Sequence, residues 1–151
     1  MGIGRKKKNP RTASKPKPRA ISAADQILDM AKKYPEFTAR RLGNEAVWEG
    51  RFQPSQSCAT YLVRIEALTG QRPWVTVLEP ELRIPRDKWL ETHRFSHGGL
   101  CLHLHEQWTR DQLIAEMIVP WTAIWLINYE YWLASGLWLG GGEHPSSREN
   151  K

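Results

Sequence analysis

Three short apolar stretches between residues 47 and 78 constrain this chain more than any other feature. In 47–52, Trp48 and Phe52 flank the polar Glu49 and Arg51. In 59–68, Tyr61, Val63 and Ile65 alternate with Leu62, Arg64 and Glu66. The third stretch, 74–78, is bounded by Pro73 and Pro80. A period of two is the signature of a strand. The connections 53–58 and 69–73 carry the turn residues Pro54, Ser55, Ser57 and Gly70. They are too short for a parallel crossover, which takes about a dozen residues. The pattern predicts a three-stranded antiparallel meander.

Helical signals flank it. Ser22 stands three residues before Asp25, a variant of the capping box, with Ile21 as a staple. Ile27, Leu28, Ala31 and Tyr34 follow at helical spacing, and Pro35 ends the run. Residues 79–100 lack a period and lead into Ser96-His97-Gly98-Gly99-Leu100-Cys101. A second helix is expected from Trp108-Thr109, with Thr109 and Gln112 as its box. Pro120 is expected to start a third, running to about Ser135 and stopped by Gly136. Helix, meander, irregular cysteine loop and C-terminal helices make an α+β class.

Charge divides the chain. The whole carries 22 basic and 16 acidic residues, net +6. Arg5, Lys6, Lys7, Lys8, Arg11, Lys15, Lys17 and Arg19 all fall in the first twenty residues, which hold no acid. The excess therefore belongs to a tail, and the remainder is slightly acidic. That argues against a nucleic-acid-binding face. The organisation expected is a disordered basic tail over 1–20, one domain over 21–145 and a polar tail over 146–151. The tail lacks the apolar segment of a secretory signal. Residues 118–138 are mostly apolar and hold four tryptophans, but Pro120, Asn128 and Glu130 argue for a soluble core rather than a membrane span. Two cysteines, Cys58 and Cys101, are no disulfide framework, which points to a reducing cytoplasm.

Of the two thiols, Cys101 carries the chemical signal. It follows paired glycines and lies near His93 and His97. A thiolate attacks activated acyl groups readily, and a neighbouring imidazole raises its fraction. Gly98 and Gly99 would admit an extended peptide and offer amides for an oxyanion hole. This pattern favours a reactive Cys101 over a structural one, whereas Cys58, at a strand edge beside Ser57, reads as structural. Cys101, His103 and His105 also alternate as zinc ligands would, though the spacing is unusual for a closed site. The tryptophans 121, 125, 132 and 138 read as core. The glycines 140–142 are no phosphate loop, because no Lys-Ser follows them.

The stretch Gly98-Gly99-Leu100-Cys101-Leu102, followed by Trp108-Thr109, resembles the active-cysteine segment of ubiquitin-conjugating enzymes. Pro73-Trp74 and the prolines 80 and 85 are similar to that family's sheet-crossing region. A bacterial subgroup is closer still. Its members share residues matching Ile114-Ala115, Pro120-Trp121, Tyr129-Glu130, Trp132-Leu133-Ala134, Gly136, Trp138, the glycines 140–142 and His144-Pro145. The chain thus resembles the prokaryotic ubiquitin-conjugating-enzyme-like (UBC-like) family associated with CBASS antiphage operons.

The resemblance implies a UBC-like fold and a transferase that carries a protein C-terminus as a thioester on Cys101. The implied partner is the operon's cGAS/DncV-like nucleotidyltransferase (CD-NTase), with no cofactor, no metal, no specific nucleic acid and no membrane. His93, within Thr92-His93-Arg94, takes the place of the histidine in the eukaryotic His-Pro-Asn motif. No asparagine follows it, a departure that bears on isopeptide formation and not on thioester formation. Two other readings stand beside the enzyme: a non-catalytic partner-binding module of the same fold, and a zinc-binding protein.

Overall fold

The computed structural model describes residues 13–102 and 107–140. Helix α1 spans Ala23–Lys33, strands β1 to β4 span Thr38–Leu42, Glu45–Phe52, Tyr61–Leu68 and Trp74–Glu79, and helix α2 spans Ile114–Ser135. The strands form one antiparallel sheet in the order β1-β2-β3-β4. The α+β class and the meander are as expected, with a fourth strand that the alternation did not reveal. Strand β1 (Thr-Ala-Arg-Arg-Leu) buries almost nothing, so it has no apolar period to read.

One face of the sheet makes the core. Trp48 faces Ile65 across β2 and β3, and Ile65 faces Val75 across β3 and β4. Trp48, Val63 and Ile65 are wholly buried. Phe52 and Tyr61 extend the same face, and the two helices supply Met30, Ile118 and Leu126 to it. On the other face Arg64 pairs with Glu49 at 2.6 Å and Arg51 with Glu79 at 3.3 Å, both pairs exposed enough for water to screen them.

Helix α1 starts where the sequence says it should. The Ser22 hydroxyl accepts the Asp25 N–H at 3.1 Å, and Tyr34 caps the far end just before Pro35. Its buried face matches the expected one only in part: Ile27 and Tyr34 pack against the core, half-buried. Ala23, Gln26 and Met30 point inward, while Leu28 is 61% exposed and Ala31 is exposed. The reason is Gln26. Its amide donates to the Gln112 carbonyl and accepts the Ile114 N–H, both at 2.9 Å. A buried polar group is tolerated when both its ends are matched, and this one fixes the first turn of α2 against α1.

The C-terminal helices are a single one. The 107–113 segment is a turn in which Thr109 N–H donates to Gln112 Oε1 at 2.9 Å and Gln112 N–H to the Thr109 carbonyl. Only the Gln112 arm of the expected box is present, since the Thr109 carbonyl and not its hydroxyl takes the Gln112 N–H; it closes a turn, and α2 begins only at Ile114. Pro120 lies inside α2. The helix passes through it because Ile114, Ala115, Ile118, Val119, Thr122, Trp125, Leu126 and Tyr129 form one unbroken buried stripe. The backbone bond that proline forgoes runs to Glu116, an exposed residue whose carbonyl water can serve. Gly136 ends the helix in the left-handed region at φ 74° and donates to Trp132 O, as expected.

Replacing Gln26 by Ala leaves the Ile114 N–H and the Gln112 carbonyl unmatched, and is expected to cost about 1–3 kcal/mol. Leu28→Ala is expected to stay within about 0.5 kcal/mol. Urea unfolding midpoints at constant slope distinguish the two; equal shifts would refute this account of the interface.

Candidate active site around Cys101

After β4 the chain leaves the sheet. Leu82 and Ile84 fill the core, and the Arg83 N–H donates to the Tyr129 hydroxyl at 2.9 Å. A short turn of 3-10 helix, Arg86–Lys88, precedes Trp89, whose indole donates to the Ile84 carbonyl at 3.1 Å. Thr92, fully buried, returns its hydroxyl to the Lys88 carbonyl at 2.8 Å. The irregular stretch is therefore well packed at both ends.

Residues 93–101 then form a small hairpin, with Arg94 bridged to Leu100. Phe95 N–H donates to Gly99 O at 2.8 Å, and Cys101 N–H donates to His93 O at 2.8 Å. Leu100 N–H donates to Val75 O at 2.9 Å, which ties the hairpin to the outer edge of β4. The His93 carbonyl accepts a second bond, from the Trp125 indole at 3.1 Å. His93 itself is held at φ 54°, a conformation side-chain-bearing residues seldom adopt. Its ring is buried and stacks on Trp138 at 5.9 Å, and Trp138 packs on Trp125 at 5.3 Å. Cys101 is half-buried at the root of this hairpin.

The sequence-derived residues thus separate. His93 meets Cys101 through the backbone, whereas His97 lies at the hairpin's tip. His97 Nδ1 accepts the Gly99 N–H at 3.1 Å, and its ring stacks on Phe95 and meets the edge of Trp74. The expected oxyanion amides are corrected here. Gly99 N–H is committed to His97, and Gly98 N–H donates to Phe95 O at 2.9 Å. The close approach of the His97 ring also explains the second glycine, since a Cβ on Gly99 would lie 2.5 Å from His97 Cε1.

Two arginines escaped the sequence reading. Arg94 and Arg86 both lie against Trp89, at 4.0 and 4.6 Å from its centroid. Arg94 donates to Gly98 O and Arg86 to Ser96 O, so both clamp the hairpin tip. Burial pushes the Arg94 guanidinium below its ordinary pKa. The signal available in sequence was the clustering of Arg86, Trp89 and Arg94, which has no period to catch the eye.

Cys58 sits in the β2–β3 connection. Its thiol accepts the Ser55 hydroxyl at 3.2 Å and its carbonyl takes the Gln53 amide at 2.8 Å, a turn-forming role. Glu130 of α2 accepts the Ala59 N–H at 3.2 Å, pinning that connection to the helix. Burial and Glu130 together push the Tyr61 phenol well above its ordinary pKa. Among the expected core tryptophans, Trp125 is buried, and Trp121, Trp132 and Trp138 are half-buried against the core. His103, His105 and the glycines 141 and 142 lie outside the described residues. Among the described residues no group of three His, Cys, Asp or Glu is placed to hold a metal, and no helix is long and apolar enough to cross a membrane.

Burial against Phe95 and Trp74 lowers the His97 pKa. The neutral ring is what accepts the Gly99 N–H, and protonating Nδ1 turns that acceptor into a donor. The contribution of His97 to the hairpin is therefore complete above the free value of about 6.5 and lost as pH falls through the lowered one. An NMR titration of the His97 ring is expected to give an apparent pKa below 6.5, with the Gly99 amide shifting in step. A value at or above 6.5, or a Gly99 amide that stays still, would contradict this geometry.

No curated protein matches the chain. A family model described as Type II CBASS E2 protein matches residues 26–145, a range that takes in most of α1, the whole sheet, the Cys101 hairpin and all of α2. The chain belongs to the E2-CBASS family, the E2-like proteins of type II CBASS antiviral defence.

Proposed function

We propose that this protein is a transferase of the ubiquitin-conjugating type, with a UBC-like fold, and that it carries the C-terminus of its CD-NTase partner as a thioester on Cys101. The observation that carries this reading is the hairpin root. Cys101 is partly open to solvent while its backbone is tied to His93, and through His93 to Trp125 of α2. A fixed nucleophile needs little reorganisation before it reacts. Membership of an E2 family supports the same chemistry.

In the proposed step the Cys101 thiolate attacks the carbonyl of an activated C-terminus held as a thioester on another protein. The new bond is Sγ–C, the bond to the donor sulfur breaks, and the donor leaves as a thiolate that takes up the proton Cys101 gave to solvent on ionising. Roughly a few per cent of an unperturbed thiol is ionised at neutral pH, enough for sulfur to act as nucleophile. His93 supports the site by position, through its carbonyl and its stacked ring. The protein would work in the reducing cytoplasm, where the thiol stays free.

A second reading has one observation in its favour. Gly98 and Gly99 spend their amides within the hairpin, so neither is offered to a developing oxyanion. On that ground the same fold would bind the CD-NTase tail without transferring it.

Intact-mass analysis after co-expression with the CD-NTase of the same operon and with the protein that donates its C-terminus as a thioester separates the two. Wild type and Cys58→Ala are expected to gain the partner's mass less one water, released by excess thiol. Cys101→Ser should give an adduct that thiol does not release, and Cys101→Ala none. Co-purification without an adduct in any variant would retire the transferase in favour of the binding module.

A further inference from the structure

Residues directly opposite one another on neighbouring strands share a face of the sheet, so the register fixes what the side away from the helices presents. One row across it is Thr38, Glu49, Arg64 and Thr76. The next is Arg40, Val47, Glu66 and Trp74, and the third is Leu42, Glu45 and Leu68. Both helices pack on the opposite, core face. The solvent side of an antiparallel sheet is ordinarily polar. Here Leu42, Leu68 and Trp74 are 67%, 43% and 39% exposed in two adjacent rows, with Val47 diagonal to both leucines. Aliphatic side chains around an exposed tryptophan, with arginine beside them, are the make-up of an interface centre.

The charges identify what covers it. Two copies packed face to face about a twofold axis parallel to the strands lay each row on itself in reversed order. Strand β1 of one copy then meets β4 of the other, and β2 meets β3. In the first row this sets Glu49 against Arg64 of the second copy, twice over. In the next it sets Arg40 against Trp74 of the second copy, a cation over an indole. Neither row opposes like charges. The Glu49–Arg64 bridge within each copy, 2.6 Å long, becomes half of a four-charge square, and covering it removes the water that screens it. Four strands about 4.8 Å apart, over roughly seven residues of about 3.3 Å each, offer a patch of roughly 450 Å² per copy. Two such patches come near the about 1,000 Å² of a specific interface, the size of a weak and reversible one.

We propose that this outer face of the sheet is a homodimer interface, closed by a second copy of the chain about a twofold axis parallel to the strands. The contact is between faces, and the strand edges take no part in it. It uses no residue of the Cys101 hairpin and holds whether or not Cys101 forms a thioester.

The test is sedimentation velocity of the full-length protein from micromolar to near-millimolar concentration, with amide NMR over the same dilution. Wild type is expected to pass from monomer to dimer with a micromolar dissociation constant. Glu49→Arg makes both charges of its row positive and Arg64→Glu makes both negative, so each variant alone should stay monomeric. Mixed in equal amounts, the two should form a one-to-one heterodimer, since both pairs between copies are then attractive. The bridge within each chain is broken in both variants and stays broken in the mixture, so recovery reports a contact between copies. Circular dichroism checks that both variants fold; should either not, the dilution shifts of wild type decide alone. The amide signals that move on dilution should belong to β1–β4 and not to Ile124, Ile127 and Tyr131, the exposed apolar stripe of α2. Wild type that stays monomeric, folded variants that dimerise as wild type does, a mixture that fails to associate, or dilution shifts confined to α2 would each overturn the proposal.

Discussion

One carbonyl oxygen, that of His93, holds the cysteine hairpin to the rest of the molecule from within the loop. It accepts the Cys101 N–H on one side and the Trp125 indole on the other. Both lone pairs of a backbone acceptor are thereby used, in a place where leaving one donor unmatched would be costly. The left-handed backbone of His93 aims the carbonyl this way, and the ring is kept from swinging back by its stack on Trp138. Strain at one residue is thus balanced by bonds to two others. Cys101, α2 and Trp138 become parts of one arrangement, although they lie far apart in sequence.

The sheet was legible because alternation is a direct image of burial. Strands β2, β3 and β4 bury one face of a two-sided ribbon, and their residues say so. The Ser22 cap and the Gly136 stop were legible for a related reason: each rests on local chemistry that a short window contains. What escaped depends on partners distant in sequence. Gln26 looks like a surface residue until Gln112 and Ile114 are brought to it. Pro120 looks like a helix start until the buried stripe on both sides of it is seen to keep one register.

The candidate site divides in the same way. Cys101 stood out by its neighbours in the chain, and the family match covers the segment that contains it. The roles of its neighbours were less legible. The two histidines looked equivalent from sequence, yet the hairpin separates them, one at its root and one at its tip. The glycine amides looked open, but a hairpin this short satisfies its own donors. Arg86 and Arg94 could not be assigned at all until Trp89 placed a flat surface for both to rest on.

The two borders of the sheet differ. Strand β4 is covered by the cysteine hairpin, through the bond from Leu100 to Val75. Among the described residues no strand pairs with the outer edge of β1, and an unpaired edge is a template for a second sheet to join. Its centre carries Arg40 and Arg41, and nearly all of it faces solvent. Two like-charged strands brought side by side would set these guanidiniums against their counterparts. The polarity that hid β1 from the sequence reading therefore also guards the molecule against self-association along that border.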